Sequence, residues 1–480
     1  MTDAPAPLVL RLGAVAHGGH VVARTDEGRV VFVRHGLPGE LVRVRLTDHE
    51  PTASFWRGDV VEVLEPAAGR RDAHVWSQAD AVLAAAAGTS PLGGAEFGHA
   101  DLATQRELKT SVVGEQLSHL AGLEWDGHVR AVAGETPDGT GWRTRLHLDV
   151  APDGSAGMYP HRSGELVPVT DMPLATDALR ALAPWELRYE GAERVDVAAP
   201  SGSAPLLHVS LRADARQEQL DALRERLGPW GEQHGVSVTA RTADHRAVGV
   251  WTGTGESVET LDLPEAGGHF SWRVSPTGFW QIHRQAPATL VRAVLDAAQF
   301  TPGDAVWDLY SGAGLFTAVA ARAVGETGSV LAVEGSPVTS ADAARNLADA
   351  PHVSAVRGDV ARVLTGRGPR ARGGQRRGHG RATSSRPGGR TGGRTGGSTP
   401  ARPDVVVMDP PRAGAAKDVL AAVDHAAPRR IVYVACDPAA LGRDLGRLRR
   451  RGWRVDGVEA FDLYPNTHHV EAVALLRRDG

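Results

Sequence analysis

The sequence predicts an α/β protein whose C-terminal part is a doubly wound, largely parallel sheet, preceded by a small N-terminal β-barrel and a central α+β domain. Three observations carry this expectation. From about residue 286 onward, short apolar runs alternate with Ala-rich helical stretches, as strands covered on both faces and joined by crossover helices must. The N-terminal segment instead strings short β-rich runs between glycine turns, a spacing that suits a small barrel. The length of 480 residues exceeds what one core organises, so two or three domains are expected.

Taken in order, residues 1–66 contain LVLRLGAVAHGGHVVAR, GRVVFVRHGLPGELVRVRL and GDVVEVLEP, read as a five-stranded, OB-like barrel of the kind that often binds oligonucleotides. Residues 67–285 form the central α+β domain. Within it Asp101–Leu123 reads as a helix, with Leu102, Leu108, Val112, Val113, Leu117 and Leu120 on one side, while TRLHLDV and LLHVSLR read as strands and Gln217–Leu227 as a second helix. Residues 286–480 supply the runs AVWDLY, VLAVEG, VVVMDPP and RIVYVACDP. The last two runs, WRVDGVEAFDLY and HHVEAVALLRR, are separated by a turn only, and a terminal antiparallel pair marks the methyltransferase variant of this architecture. Residues 366–402 interrupt the sheet domain with ten arginines, no acid and few apolar residues, so a disordered insertion is expected there.

Bulk composition narrows the class. A hydrophobic fraction of 42% suffices for buried cores, and no apolar stretch is long enough to span a bilayer. The start carries neither a basic leader nor an apolar block, so a cytoplasmic monomer without membrane attachment is expected. The single cysteine, Cys436, excludes an internal disulfide framework and a four-thiolate iron–sulfur cluster. The net charge of −4 assigns any RNA contact to local basic patches rather than to the overall field.

The chemistry-bearing residues gather at strand ends. Asp308-Leu309-Tyr310-Ser311-Gly312-Ala313-Gly314 closes one strand and opens a helix, and its glycines let backbone approach a ligand at the carboxyl edge of the sheet. Glu334 ends the next strand, where an acid accepts from a ribose diol; Asp359 follows a third strand, where an acid meets an adenine amine. Together they point to S-adenosylmethionine. No metal site is expected. Asp409-Pro410-Pro411-Arg412 has arginine where amino-group methyltransferases place a stacking aromatic residue, which argues against methylation of an exocyclic amine. Carbon methylation needs a covalent nucleophile and a base. Cys436, ending the strand RIVYVAC, is placed for the first role. Glu471, heading an otherwise apolar strand, is placed for the second, with His468 and His469 as competitors for it or as phosphate contacts.

These residues resemble the family of uracil-C5 RNA methyltransferases acting on transfer and ribosomal RNA. The resemblance covers nearly the whole chain and is strongest in SPTGFWQIH (275–283), DLYSGAG (308–314), VEG (333–335), DPPRAG (409–414), VACDPAALGRDL (434–445) and YPNTHHVEAVALL (464–476). The N-terminal barrel is similar to a TRAM domain. The likeness implies a class I, Rossmann-like fold and a cofactor pocket lined by Gln281, Tyr310, Gly312, Gly314, Glu334, Asp359 and Asp409. It further implies Cys436 as nucleophile, Glu471 as the proton-abstracting base, and Gln281 and Asp409 as readers of a flipped uracil. The expected product is 5-methyluridine in ribosomal or transfer RNA.

Three departures stand out. The four-cysteine cluster of many relatives is missing from SPLGGAEFGHADL, Leu315 replaces an asparagine after the glycine loop, and the Gly/Arg insertion is added. Two other readings remain open at this stage. One is a non-catalytic RNA-binding protein. The other is a cytosine-C5 RNA methyltransferase, whose usual second cysteine this chain lacks.

Overall fold

The computed structural model describes residues 6–161, 163–242, 247–366 and 401–478. Nearly all of the Gly/Arg-rich insertion expected to be disordered thus lies outside the described residues.

The N-terminal sheet has six strands rather than five, in the order Leu8–Arg11, Leu41–Asp48, Phe55–Glu65, Val30–Arg34, His20–Arg24, Val15–Ala16. The extra strand arises because the first β-rich run breaks at Gly13 and resumes as the two-residue strand Val15–Ala16, which pairs back on His20 and Val21. Alternate residues such as Val31 and Val33 point inward, joining Leu10, Val21, Val42, Val44 and Val60 in one apolar core. Glu40, fully buried, accepts from Arg70 Nε at 2.5 Å and from Leu37 N at 2.8 Å. That charge-assisted bond ties the barrel to the chain that leaves it.

The central sheet has seven strands, ordered Val167–Pro168, Ala156–Met158, Arg145–Val150, Ala192–Ala198, Leu206–Leu211, Ser237–Arg241, Ala247–Thr252. Its one parallel pair, Leu206–Leu211 with Ser237–Arg241, is bridged by the helix Gln217–His234, the crossover that parallel strands require.

The C-terminal sheet is ordered Val353–Arg357, Ser329–Glu334, Ala305–Leu309, Val405–Met408, Arg430–Ala435, Glu471–Arg478, Trp453–Phe461, Val129–Arg130. The first five strands are parallel and Glu471–Arg478 runs antiparallel between its two neighbours. Val405–Met408 is buried along its whole length, because apolar clusters cover both faces of the sheet.

The helix read from Asp101 runs as Leu102–Gln116, N-capped by the Asp101 carboxylate accepting from Thr104 N at 2.7 Å, and continues as one wider turn, Leu117–Ala121. It packs on the helix Pro438–Arg449, where Gly442 and Gly446 leave room for its backbone. A Cβ added at Gly446 would lie 2.3 Å from Leu120 O, and one at Gly442 2.6 Å from Gln116 O. Residues 102–130 thus pack against the C-terminal sheet although they precede the central one in the chain.

Sheet order and register position the site. The carboxyl ends of the parallel strands present Asp308, Glu334 and Asp409 at one edge. The antiparallel register, with Ala435 opposite Ala472, brings Cys436 and Glu471 to that same edge from opposite chain directions.

Candidate active site

The glycine loop is rigid on one side and open on the other. Tyr310, Gly312 and Gly314 have φ of 65°, 55° and 95°, a run of left-handed positions that turns the strand into the helix Leu315–Val324. Trp272 Nε1 donates to Gly314 O at 3.1 Å and Asn346 Nδ2 to Ala313 O at 3.0 Å, fixing the loop from beneath. A Cβ built on Gly312 would meet nothing within 4 Å, so the loop faces free space. Glu334 accepts from Gly312 N at 3.0 Å and from Ser336 N at 2.6 Å, which fastens its carboxylate to the loop.

Two further acids crowd this edge. Asp308 is 1% exposed; its Oδ2 accepts from the Thr317 hydroxyl while its Oδ1 has no partner. Burial, and next to it the charge of Glu334, push its carboxyl up to about 7 against that hydrogen bond. Burial and then the charges of Asp308 and Glu334 raise Asp409 to about 7 as well. Carboxyls that repel one another in a partly desolvated cleft favour a cation between them. S-adenosylmethionine carries a sulfonium and an ammonium, so an open glycine loop beside an orphaned carboxylate oxygen fits it.

Asp359 stands apart. It is exposed and caps the helix Val360–Thr365, accepting from Arg362 N at 3.0 Å. Gln281, 7% exposed, borders a cavity bounded by Thr144, Ser201, Glu259, His283 and Pro287. Among the described residues no hydrogen bond links its side chain to the glycine loop or to Cys436.

The thiol lies in a cleft of about 130 Å³ lined by Cys436, Asp437, Arg412, His469, Lys109 and the turn at His17. Cys436 is half-buried. Burial first, then the charges of Glu471, Asp409 and Asp437, push its thiol up to about 12, with Arg412 opposing. Glu471 is 2% exposed and its Oε2 has no partner. Burial, followed by the charge of Asp409, raises it well above the usual carboxylate range, while a hydrogen bond from Tyr464 acts the other way. Arg412 Nη2 lies 2.9 Å from His469 Nδ1; burial and then the positive charges of His468 and Arg412 push His469 down to about 3. A histidine so depressed is a poor base. His468 faces Glu96 at 3.6 Å.

Supporting contacts explain why the flanking motifs have their sequences. Asp444, fully buried, accepts from Ala415 N and from the Tyr433 hydroxyl, each at 2.8 Å, and from Arg447 Nη1 at 2.8 Å. The GRDL segment thereby holds the DPPRAG turn. Asn466, at φ 67°, donates to Asp138 O and Gly139 O and exchanges hydrogen bonds with Gln105, clamping the turn that precedes Glu471. Lys109 Nζ donates to Asp462 Oδ1 at 2.5 Å and to Tyr464 O at 3.0 Å, with both charged groups buried. Removing one partner of such a pair costs about 3–5 kcal/mol.

Comparison with known proteins places this geometry. A family model described as tRNA (Uracil-5-)-methyltransferase matches residues 401–479, and one described as TRAM domain matches residues 8–61. A third, protein-L-isoaspartate(D-aspartate) O-methyltransferase, matches residues 276–368, the half that carries the glycine loop. A Streptomyces avermitilis protein described as an uncharacterized RNA methyltransferase is 36% identical, with 97% of each chain covered. The chain belongs to the uracil-C5 RNA methyltransferase family. A further relative, the 23S rRNA (uracil(1939)-C(5))-methyltransferase RlmD of Acinetobacter baylyi, is 26% identical over 97% of this chain and 93% of its own. The crystal structure of Pyrococcus abyssi tRNA (uracil-54, C5)-methyltransferase in complex with S-adenosyl-L-homocysteine shares the fold, with a TM-score of 0.60, 17% identity and 97% and 100% of the two chains covered.

As an RNA methyltransferase with a TRAM domain and an S-adenosylmethionine-binding fold, the protein gathers Asp308, Glu334, Asp409, Cys436 and Glu471 along one sheet edge. The sequence reading assigned no role to His17 or Tyr464. Tyr464 lies inside a quoted motif, and only the return of the chain to the Glu471 edge gives it a partner. His17 belongs to another domain and left no local signal. In the stretch SPLGGAEFGHADL, Leu92, Ala95 and Phe97 are buried, and Gln105 Nε2 donates to Phe97 O and Ala100 O. Among the described residues no group of three or more His, Cys, Asp or Glu is arranged to hold a metal, and no helix is long and apolar enough to cross a membrane.

Proposed function

We propose that this enzyme forms 5-methyluridine in ribosomal or transfer RNA through a covalent adduct between Cys436 and C6 of the target uracil. The observation that carries the reading is the meeting of a thiol, Cys436, and a buried carboxylate with one oxygen unpartnered, Glu471, beside the acid-lined glycine loop. C5 of uracil is too weak a nucleophile to accept a methyl group until a thiolate adds at C6 and turns the ring into an enolate. Bound S-adenosylmethionine supplies the methyl group, held by Tyr310, Gly312, Gly314, Glu334 and Asp409, with Gln281 and Asp359 as further contacts. Asp409 sits between the two halves of the cleft and accepts from the uracil edge. Glu471 then takes the C5 proton, and the electron pair of that C–H bond expels the Cys436 sulfur. Arg412 supplies the positive charge that favours thiolate over thiol.

RNA is taken as the partner and the protein as a cytoplasmic monomer using no iron–sulfur cluster. Residues 1–66, 67–285 and 286–480 act as the barrel, central and catalytic units, except that residues 102–130 join the catalytic unit, where they pack on its sheet. Between barrel and central domain lies a cavity of about 520 Å³ lined by His20, Arg34, Arg45, Arg57, Ser90 and Ser163. Its basic side chains suit a phosphate backbone led toward the thiol.

RNA carrying 5-fluorouridine tests the mechanism, because fluorine cannot leave as a proton does. With methyl donor present, a crosslink that survives denaturation and disappears in Cys436→Ala is expected; an active enzyme that forms none would remove Cys436 from the mechanism. Mapping 5-methyluridine in total RNA from cells with and without the protein identifies the target.

A further inference from the structure

The barrel reaches the catalytic cleft through a single turn. His17, Gly18 and Gly19 join the strands Val15–Ala16 and His20–Arg24, with φ of 84° and 76° at the two glycines. A Cβ at Gly19 would fall 2.7 Å from His468 Cβ, so the turn lies directly on the loop that leads to Glu471. This close approach delivers His17 to the residue that follows the thiol. His17 Nε2 is 3.0 Å from Asp437 Oδ2, while Asp437 Oδ1 accepts from Ala440 N at 2.8 Å as the N-cap of the helix Pro438–Arg449. One carboxylate is shared between a helix terminus of the catalytic domain and a histidine of the barrel.

The surrounding charges give this contact a consequence. Asp437 is among the three carboxylates, with Glu471 and Asp409, that disfavour the Cys436 thiolate, and Arg412 is the cation opposing them. His17 faces Asp437, Arg412 from the DPPR turn and Glu115 from the helix Leu102–Gln116; the hydrogen bond to Asp437 outweighs burial and holds the imidazole above its ordinary 6.5. Its bond to Asp437 in turn helps hold that carboxylate below its ordinary value, against burial. When His17 is protonated the pair is neutral as seen from the thiol. When it loses its proton the negative charge of Asp437 is left facing the sulfur.

We propose that His17 is a positioning residue for the nucleophile, lending its charge to Asp437 so that the thiol becomes more reactive when the barrel is docked. The proposal rests on the reading of Cys436 as nucleophile, but its test does not. Cys436 is the only cysteine in the chain, so the rate of maleimide labelling, read by intact mass on the full protein without RNA, reports this thiol alone. At about pH 6 native protein should label about three- to tenfold faster than His17→Ala, the equivalent of half to one pKa unit of thiol ionisation. At alkaline pH, once the imidazole has lost its proton, the two rates should converge. His17→Gln keeps a hydrogen-bond donor without the charge and should follow His17→Ala. Equal rates at low pH, a deficit of the same size at both pH values, or native behaviour in His17→Gln would each overturn the proposal. A native-like profile in His17→Ala with the fluorouridine crosslink intact would reject this coupling and leave the nucleophile standing. Loss of the crosslink with the predicted profile would do the reverse.

Discussion

Replacing Glu471 by glutamine separates the two halves of the reaction. The side chain is buried and keeps one oxygen without a partner, so an isosteric amide fits the same space and still offers an acceptor to the Tyr464 hydroxyl. The change removes the proton acceptor that faces both Asp409 and the thiol. A positioned general base contributes about 10²–10⁴ in rate, or about 3–5.5 kcal/mol of barrier, and turnover should fall by that factor. In the proposed mechanism the proton leaves after the methyl group has arrived and before sulfur departs, so each Glu471→Gln molecule should complete one methyl transfer and stop. Single-turnover reactions with labelled methyl donor, resolved on denaturing gels, should show a protein–RNA band that accumulates to near stoichiometry and decays slowly. Turnover within about tenfold of native with no accumulating band would refute the assignment. His469 would make a poor substitute, being held near 3 by burial, His468 and Arg412.

Three further outcomes follow from the same geometry. Gly312→Ala meets no protein atom within 4 Å but forces a left-handed φ of 55° on a residue with a side chain, so stability should fall by only about 1–2 kcal/mol, whereas calorimetric affinity for the methyl donor should drop at least about tenfold; an unchanged Kd would take the loop out of the cofactor site. Asp409 and Asp308, raised to about 7, hold protons in the folded state that the unfolded chain releases near pH 4, so unfolding releases protons and this contribution to stability falls as pH rises from about 4 to 7; Asp409→Asn should melt progressively higher than native across that window, and parallel melting curves would contradict the raised carboxyl. Arg34 and Arg57 already hold Asp59 and Asp48 at 2.7 and 2.9 Å, so Arg45→Ala is the variant expected to reduce the slope of log K against log salt for RNA by about one, and an unchanged slope would move the RNA path off the basic cavity.

The sheet-edge placement of the candidate residues was readable in the sequence where one element carries it. The glycine loop, Glu334, Asp409, Cys436 and Glu471 each sit at the end of an apolar run, and strand ends in a doubly wound sheet share an edge. What could not be read depends on pairings between distant segments. The two-residue strand Val15–Ala16 is too short to show a period. The helix Leu102–Gln116 reads as part of the domain that follows it in sequence, yet Gly442 and Gly446 draw it onto the helix Pro438–Arg449, a fit visible only once both are in place. Asp359 shows the opposite limit. An acid after a third strand satisfies the expected pattern, and it also satisfies the bland requirement of a helix N-cap, which is the contact it makes. Tyr464 and His17 acquire partners only through tertiary contact, at a register and a domain interface that no local motif encodes.

Asp409 joins the two halves of the site electrostatically. On one side its carboxyl is raised by burial and then by Asp308 and Glu334; on the other its charge is the leading electrostatic cause, after burial, of the elevated Glu471. In the free enzyme these neighbours bias Glu471 toward the carboxylic acid, which cannot accept a proton, and Cys436 toward the thiol. A cation set against Asp409 cancels the charge that Glu471 feels and returns it toward the carboxylate. Adenosylmethionine is such a cation and its demethylated product, having lost the sulfonium charge, is a weaker one. On the proposed mechanism Glu471 would thus be competent as the base when donor is present, and would need no separate switch to keep it from acting on RNA that arrives without a methyl group to receive.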